Sequence, residues 1–172
     1  MAILVTGGTK GIGLAIARRF AKPGTDVFLN YLSDHEAAER AREAVAAAGA
    51  RVHLLPGDVG TPEGARAVLE RVAAVADRLD QLVHCAVRVI PGPLLAIDPA
   101  DFTAAVNLNG TALLYLVQAA RPLLRWGSTV FSSGRNVVDD DYCGLIEFLA
   151  SPAAEMIQGQ VVFVTGGSYL AA

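Results

Sequence analysis

The apolar run Ile3-Leu4-Val5 leads straight into Thr6-Gly7-Gly8-Thr9-Lys10-Gly11-Ile12-Gly13, and that stretch into the helix-periodic Leu14 to Phe20. Four glycines in eight residues, set between a strand-sized run and a helix-sized one, constrain the fold more than any other feature of the chain. Such a turn lets backbone N–H groups at a helix start approach an anion closely, at the carboxyl end of a strand. Glycines also serve ordinary tight turns, so the flanking strand and helix carry the weight of the reading.

The same rhythm repeats downstream. Asp26 to Asn30 reads as a second strand, and Ser33 to Gly49 as an Ala-rich helix capped by Ser33 or Asp34 and ended by Gly49. Arg51 to Leu55 is a third strand, Pro62 to Asp77 a helix, and Gln81 to Ala86 a fourth strand. The loop Val87 to Phe102 opens a long apolar helix, Ala104 to Leu124, before Ser128 to Phe131 supplies a fifth strand. After Phe131 the rhythm breaks: Ser132 to Asp139 reads as loop, Asp140 to Ser151 as a short helix, and Gln160 to Val164 as a last strand followed by Thr165-Gly166-Gly167. Short strands alternating with helices predict an α/β fold, a Rossmann-type doubly wound parallel sheet in three layers, as a single domain over residues 1–172.

Composition excludes several classes. With 53% apolar and 18% charged residues the chain is not a disordered polymer, and the apolar content fits a sheet covered on both faces. A net charge of −3 with no basic stripe predicts no nucleic-acid partner and points to a small-molecule or protein-bound substrate. No uncharged stretch is long enough for a membrane span. Cys85 and Cys143 lie far apart without CxxC spacing or a histidine cluster, so neither a disulfide nor a metal site is expected. The first residues read as strand rather than signal peptide, and the setting expected is cytoplasmic.

Gly7, Gly11 and Gly13 have the spacing G-x-x-x-G-x-G, with Thr9, Lys10 and Ile12 completing the turn, and their context points to nucleotide binding. An acidic residue at the end of the second strand would read an NAD ribose, yet Asn30-Tyr31 stand there. Lys10 can pair with a 2′-phosphate, which favours NADP(H) over NAD(H), while Asp34 suits a helix cap better than a ribose ligand. Asp58-Val59 lie where a loop reaches an adenine, although Pro56-Gly57-Asp58 is also plain turn chemistry. His84, Cys85 and Ala86 end the fourth strand at the edge where ligands bind, with backbone contacts favoured over imidazole chemistry. Asn107, with Asn109 as its competitor, is a polar residue beside Gly110 in an apolar helix and suggests a bend, a water or a functional amide.

Taken together, "TGGTKGIG", "GDV", "LVHCA", "VNLNG" and "EFLASPAAEMIQGQVVFVTGG" resemble the short-chain dehydrogenase/reductase family over roughly residues 1–131 and 134–172. The resemblance implies that Gly7, Lys10, Gly11, Ile12 and Gly13 hold the pyrophosphate side, Asp58 and Val59 the adenine, and Asn107 a structural water of a proton relay. Within the family the chain looks most like 3-oxoacyl and enoyl reductases of fatty-acid-type synthesis, which use NADPH on acyl-carrier thioesters. A dehydrogenase of a small alcohol or sugar is the enzymatic alternative. The apolar Ala112 to Ala120 suggests a self-association face and a homodimer or homotetramer.

Two departures stand out. The family's Asn-Asn-Ala-Gly after the fourth strand is His84-Cys85-Ala86-Val87. The family's tyrosine acid with its lysine, Tyr-x-x-x-Lys, is missing, because the only lysines are Lys10 and Lys22. Tyr142 reads as a packing residue, and Ser133 or Ser132 is the candidate for the serine after the fifth strand. A block carrying the catalytic helix is therefore missing near residues 131–134. An omission from the sequence as written and a genuinely shortened domain both explain it; the apolar sheet surface a real loss would expose, at about 25 cal/mol per Å², favours the omission. Under the second explanation the protein is a catalytically inactive nucleotide-binding protein.

Overall fold

Side chains alternate across β1 (Ala2–Thr6), with Ile3 and Val5 in one apolar cluster and Ala2 and Leu4 in another. All five residues are buried, which is why the strand reads as a continuous apolar run. The computed structural model describes residues 1–125, 129–132 and 139–154, with the backbone alone at 129–132 and 139–142.

β2 (Asp26–Tyr31), β3 (Arg51–Pro56), β4 (Gln81–His84) and β5 (Thr129–Ser132) join β1 in one parallel sheet of order β3-β2-β1-β4-β5. Leu4 pairs with Phe28 on one side and Leu82 on the other, and all three point into the same cluster. That cluster is closed by α3 (Pro62–Ala73) through Val68 and Leu69 and by α5 (Ala112–Ala120) through Leu116. On the opposite face α1 (Gly11–Phe20), α2 (His35–Ala46) and α6 (Asp139–Leu149) cover Ile3, Val5, Val27, Leu29 and Val83, using Ile16, Val45 and Ile146. The chain thus winds outward from β1 with its helices on one face, then crosses to β4 and β5 with its helices on the other. This is the doubly wound, three-layer arrangement expected from the sequence.

Local chemistry sets most boundaries. Asp34 caps α2 by accepting from the Ala37 N–H, and Gly49, at φ 86°, lies just beyond that helix. α3 ends at Ala73, four residues short of expectation, and β4 stops at His84 rather than Ala86. The long helix expected over 104–124 is divided: α4 (Pro99–Val106), a π-turn at Asn107–Thr111, then α5. In the π-turn the Ala112 N–H reaches back to the Asn107 carbonyl, a widening at the one place where Asn and Gly replace apolar helix formers. α6 packs on α1, where Arg19 donates to Glu147 through Nη2 at 2.8 Å. The expected last strand at 160–164 lies outside the described residues.

At the amino edge of the sheet the Arg51 guanidinium donates to both Asp26 oxygens, and His53 Nε2 stands 3.0 Å from Oδ1. Arg51 holds the Asp26 carboxyl below its ordinary range. A depressed folded pKa means a contribution that is complete above the unfolded value of about 3.9 and is lost as pH falls through the folded one. Asp26→Asn is expected to cost about 1 kcal/mol at pH 7 and to flatten the fall of the urea midpoint below pH 4. A slope identical to that of the unsubstituted protein would rule this out.

Candidate functional site

The glycine turn is fixed by close backbone contact. Gly7 has φ 61°, and a Cβ on it would lie 2.9 Å from the Ala86 nitrogen, so the turn runs directly against the chain leaving β4. A Cβ on Gly13 would lie 2.4 Å from the Gly7 carbonyl oxygen, so the first turn of α1 is seated on the glycine turn itself. At Gly11 the same atom would meet nothing within 4 Å. That open side is where a bound group has room.

α1 also begins differently from its neighbours. Asp34, Thr61 and Asp98 each accept a backbone N–H from the first turn of α2, α3 and α4. At α1 the capping position is Lys10, in extended conformation, with no side-chain cap and no acidic residue in the first turn. The N–H groups of Gly11, Ile12 and Gly13 have no carbonyl four residues back within the helix, and they gather at its positive end. Backbone donors, an open side and a positive potential form a cradle for an anion such as pyrophosphate.

Lys10 and Asp34 meet above the ends of β1 and β2, with Nζ 3.2 Å from Oδ2 and both side chains at least half exposed. The Ala37 N–H, and after it Lys10, holds the Asp34 carboxyl below its ordinary range. Asn30 is buried and donates to the Leu55 and Gly57 carbonyls, both at 3.0 Å. Tyr31 is buried too, its hydroxyl 2.9 Å from His35 Nδ1 and its carbonyl accepting from the Gly57 N–H. The Tyr31 ring is thus largely buried, with its hydroxyl engaged by His35, an exposed residue at the start of α2. Asp58 is exposed in an Asx turn, Oδ1 accepting from the Gly60 N–H, whereas Val59 is buried under α3 and offers only backbone. Thr9 is buried and Ile12 packs against the α1 and α2 layer, so each presents backbone rather than side chain.

Polar side chains converge where β1 and β4 end. The Thr6 hydroxyl oxygen accepts from the Cys85 and Ala86 N–H groups, each at 3.2 Å, and lies 2.8 Å from His84 Nδ1. His84 Nε2 is 2.9 Å from the Leu108 carbonyl in the π-turn, and burial pushes the imidazole pKa below its ordinary value. One step on, the Asn109 amide clamps Arg88 at both backbone positions, accepting from its N–H at 2.8 Å and donating to its carbonyl at 2.9 Å. Asn107 opens the π-turn. Arg88, Val89, Ile97, Phe102, Val106 and Asn109 wall a cleft of about 560 Å³ beside this region.

The sheet edge thus brings together Gly7, Lys10, Gly11, Gly13, Cys85, Ala86 and the π-turn of Asn107. Ser133 lies outside the described residues. Ser132 pairs with His84 through the β4–β5 ladder, and Tyr142 sits on α6 with its side chain outside the described residues. Thr6 carries no signal in the sequence beyond being the polar end of an apolar strand, and His84 bonds through both ring nitrogens, which matches the alternative sequence reading of a satisfied strand histidine. Asn109, rather than Asn107, carries the two backbone bonds to Arg88. Among the described residues no three His, Cys, Asp or Glu side chains are grouped to hold a metal ion, and no helix is long and apolar enough to cross a membrane.

Residues 1–138 match the family model described as short chain dehydrogenase. An oxidoreductase of Escherichia coli (strain K12), YghA, is 30% identical over 153 residues, covering 88% of this chain and 52% of that protein. The structure of a short chain dehydrogenase from Burkholderia cenocepacia in complex with NADP superposes with a TM-score of 0.72 at 32% identity, over 83% of this chain and 61% of that one. A blue fluorescent protein from a metagenomic library, in complex with NADPH, gives 0.69 at 29% identity over 76% and 54%. The chain spans about half the length of the curated relatives it matches. On the matched span, its glycine turn and its strand order, the chain belongs to the short-chain dehydrogenase family.

Proposed function

We propose that the carboxyl edge of the sheet binds a nicotinamide dinucleotide, NADP(H) in preference to NAD(H), and that the protein is an oxidoreductase. The observation that carries this is the α1 start: uncapped backbone donors on a glycine turn with open space in front of Gly11. Gly7, Gly11, Ile12 and Gly13 would hold the pyrophosphate by backbone, Asp58 and Val59 would lie along the adenine, and Cys85 and Ala86 would carry the backbone beside the nicotinamide. Support for the phosphorylated cofactor comes from Lys10, from the lack of an acid at Asn30-Tyr31, and from the two relatives solved with NADP or NADPH.

The cofactor would supply a hydride to a C=O or an activated C=C, with an acyl-carrier thioester as the proposed substrate class on the strength of the sequence resemblance. The apolar cleft beside Asn109 is suited to an acyl or similar apolar portion. Reduction also requires a proton, and with lysine only at positions 10 and 22 this chain has no Tyr-x-x-x-Lys to deliver it. That observation favours a second reading, in which the chain binds NADP(H) without turnover. Exposed Phe102, Val106 and Leu114 support self-association as a homodimer or homotetramer. A cytoplasmic setting remains part of the proposal.

Titration with NADPH, followed by NADPH oxidation assays on acetoacetyl and crotonyl thioesters, separates the readings. Binding with oxidation supports the reductase, binding without oxidation the second reading, and no binding of either nucleotide overturns both. Gly13→Ala forces the α1 start off the Gly7 carbonyl and is expected to weaken NADPH at least about tenfold, in line with the loss of a preorganised anion site. Lys10→Ala is expected to weaken NADPH about tenfold while changing NADH less than about twofold, since a charge-assisted contact to the 2′-phosphate is lost from one ligand only. Equal losses for the two nucleotides would place Lys10 elsewhere.

A further inference from the structure

His84 stands where the family pattern has an asparagine, and it bonds at both ring nitrogens. The Leu108 carbonyl can only accept, so Nε2 carries a hydrogen. The Thr6 oxygen already accepts two backbone N–H groups, which leaves its own proton for Nδ1. Every donor then meets an acceptor, with the ring neutral and in the Nε2–H form. A second ring proton would put Nδ1–H against an oxygen whose lone pairs are taken, so the Thr6 hydroxyl would have to give up either the Cys85 N–H, which also donates to the Thr6 backbone carbonyl at 3.1 Å, or the Ala86 N–H.

We propose that His84 is a positioning residue for cofactor binding: its neutral ring, strung between Thr6 and Leu108, holds the chain at Cys85-Ala86 and the π-turn of Asn107 in register with the glycine turn. The inference rests on the reading of this edge as a dinucleotide site. The coupling is short at every step, because Ala86 is the backbone against which Gly7 packs and Leu108 follows Asn107 directly. Neither β1 nor the π-turn presents an ionisable group to the ring at these bonds. On its own strand the Cys85 thiol belongs to the cluster on the opposite face, and in the following loop Arg88 and Asp101 bind each other. Burial lowers the imidazole pKa, so the ring is neutral at and above its ordinary value and gains its proton only below it.

The test is calorimetric titration of the full chain with NADP⁺ between pH 5 and 8.5, comparing the unsubstituted protein with His84→Asn, His84→Phe and Thr6→Val. Titration of the cofactor's own 2′-phosphate is common to all, so the differences between profiles are read. Expected is a plateau above pH 7 and an acid limb that steepens toward about tenfold per pH unit below the His84 pKa. His84→Asn removes that extra limb and costs less than about threefold at pH 8, whereas His84→Phe and Thr6→Val weaken binding about tenfold at every pH, having left buried donors unmatched. Nitrogen-15 NMR of the His84 ring is expected to show the Nε2–H form without nucleotide. Should His84→Phe fail to fold, the asparagine variant and the ring tautomer still decide. An acid limb that persists in His84→Asn, or an Nδ1–H ring, overturns the positioning role while leaving the site intact. Failure of the unsubstituted chain to bind either nucleotide overturns the site and this role together.

Discussion

β1 and β4 lie side by side in parallel, yet the helices that follow them leave toward opposite faces. No crossover covers their carboxyl ends, the position at which sheets of this kind form a ligand crevice, and here the glycine turn and the chain leaving β4 meet in direct contact. The glycine turn, Thr6 and His84 all gather at that reversal. Ile3, Leu4, Val5, Leu82 and Val83 are wholly buried and apolar, and polarity begins where they stop, at Thr6 and His84. These two are buried as well, which is tolerable because each hydrogen-bonding atom finds a partner across the crevice.

The electrostatics follow from the same arrangement. α1 points its start at the crevice and leaves it uncapped, so the site is positive by backbone rather than by a cluster of basic side chains. In a chain of net charge −3 that positive potential is local, confined to the start of one helix. Lys10 adds an exposed charge at the rim, paired with Asp34, whose other oxygen caps α2. An exposed pair of this kind adds little stability, so its effect is to hold a charge beside the carboxyl ends of β1 and β2.

The doubly wound sheet, its three layers and the glycine turn were legible because each rests on local pattern: short continuous apolar runs alternating with helices, a helix cap at Asp34, and glycines at a strand–helix junction. What the sequence concealed depends on contacts between distant residues. Thr6 and His84 are 78 positions apart, and no local signal pairs them. Tyr31, the last residue of β2, is buried, and its hydroxyl is engaged by His35 at the start of α2. The π-turn was half visible: Asn and Gly in an apolar helix predict a disturbance, while its form depends on the Ala112 N–H reaching the Asn107 carbonyl.

The two departures from the family pattern fall on different halves of the chemistry. At His84-Cys85-Ala86-Val87 the backbone is held all the same, since the imidazole spans Thr6 and Leu108 and the Cys85 and Ala86 N–H groups are fixed by the Thr6 hydroxyl. Backbone geometry can be held by any side chain of suitable reach, and here a histidine does it. A missing lysine is not replaceable in that way. Lowering the pKa of a tyrosine acid needs a charge at a set position, and neither Lys10, paired with Asp34 above β2, nor Lys22, beyond the end of α1, follows β5 in the chain. The parts proposed to hold a nucleotide and the parts that would deliver a proton are therefore separable: the glycine turn and the Thr6–His84 bonds lie within the described fold, whereas neither lysine stands where the family pattern puts its own.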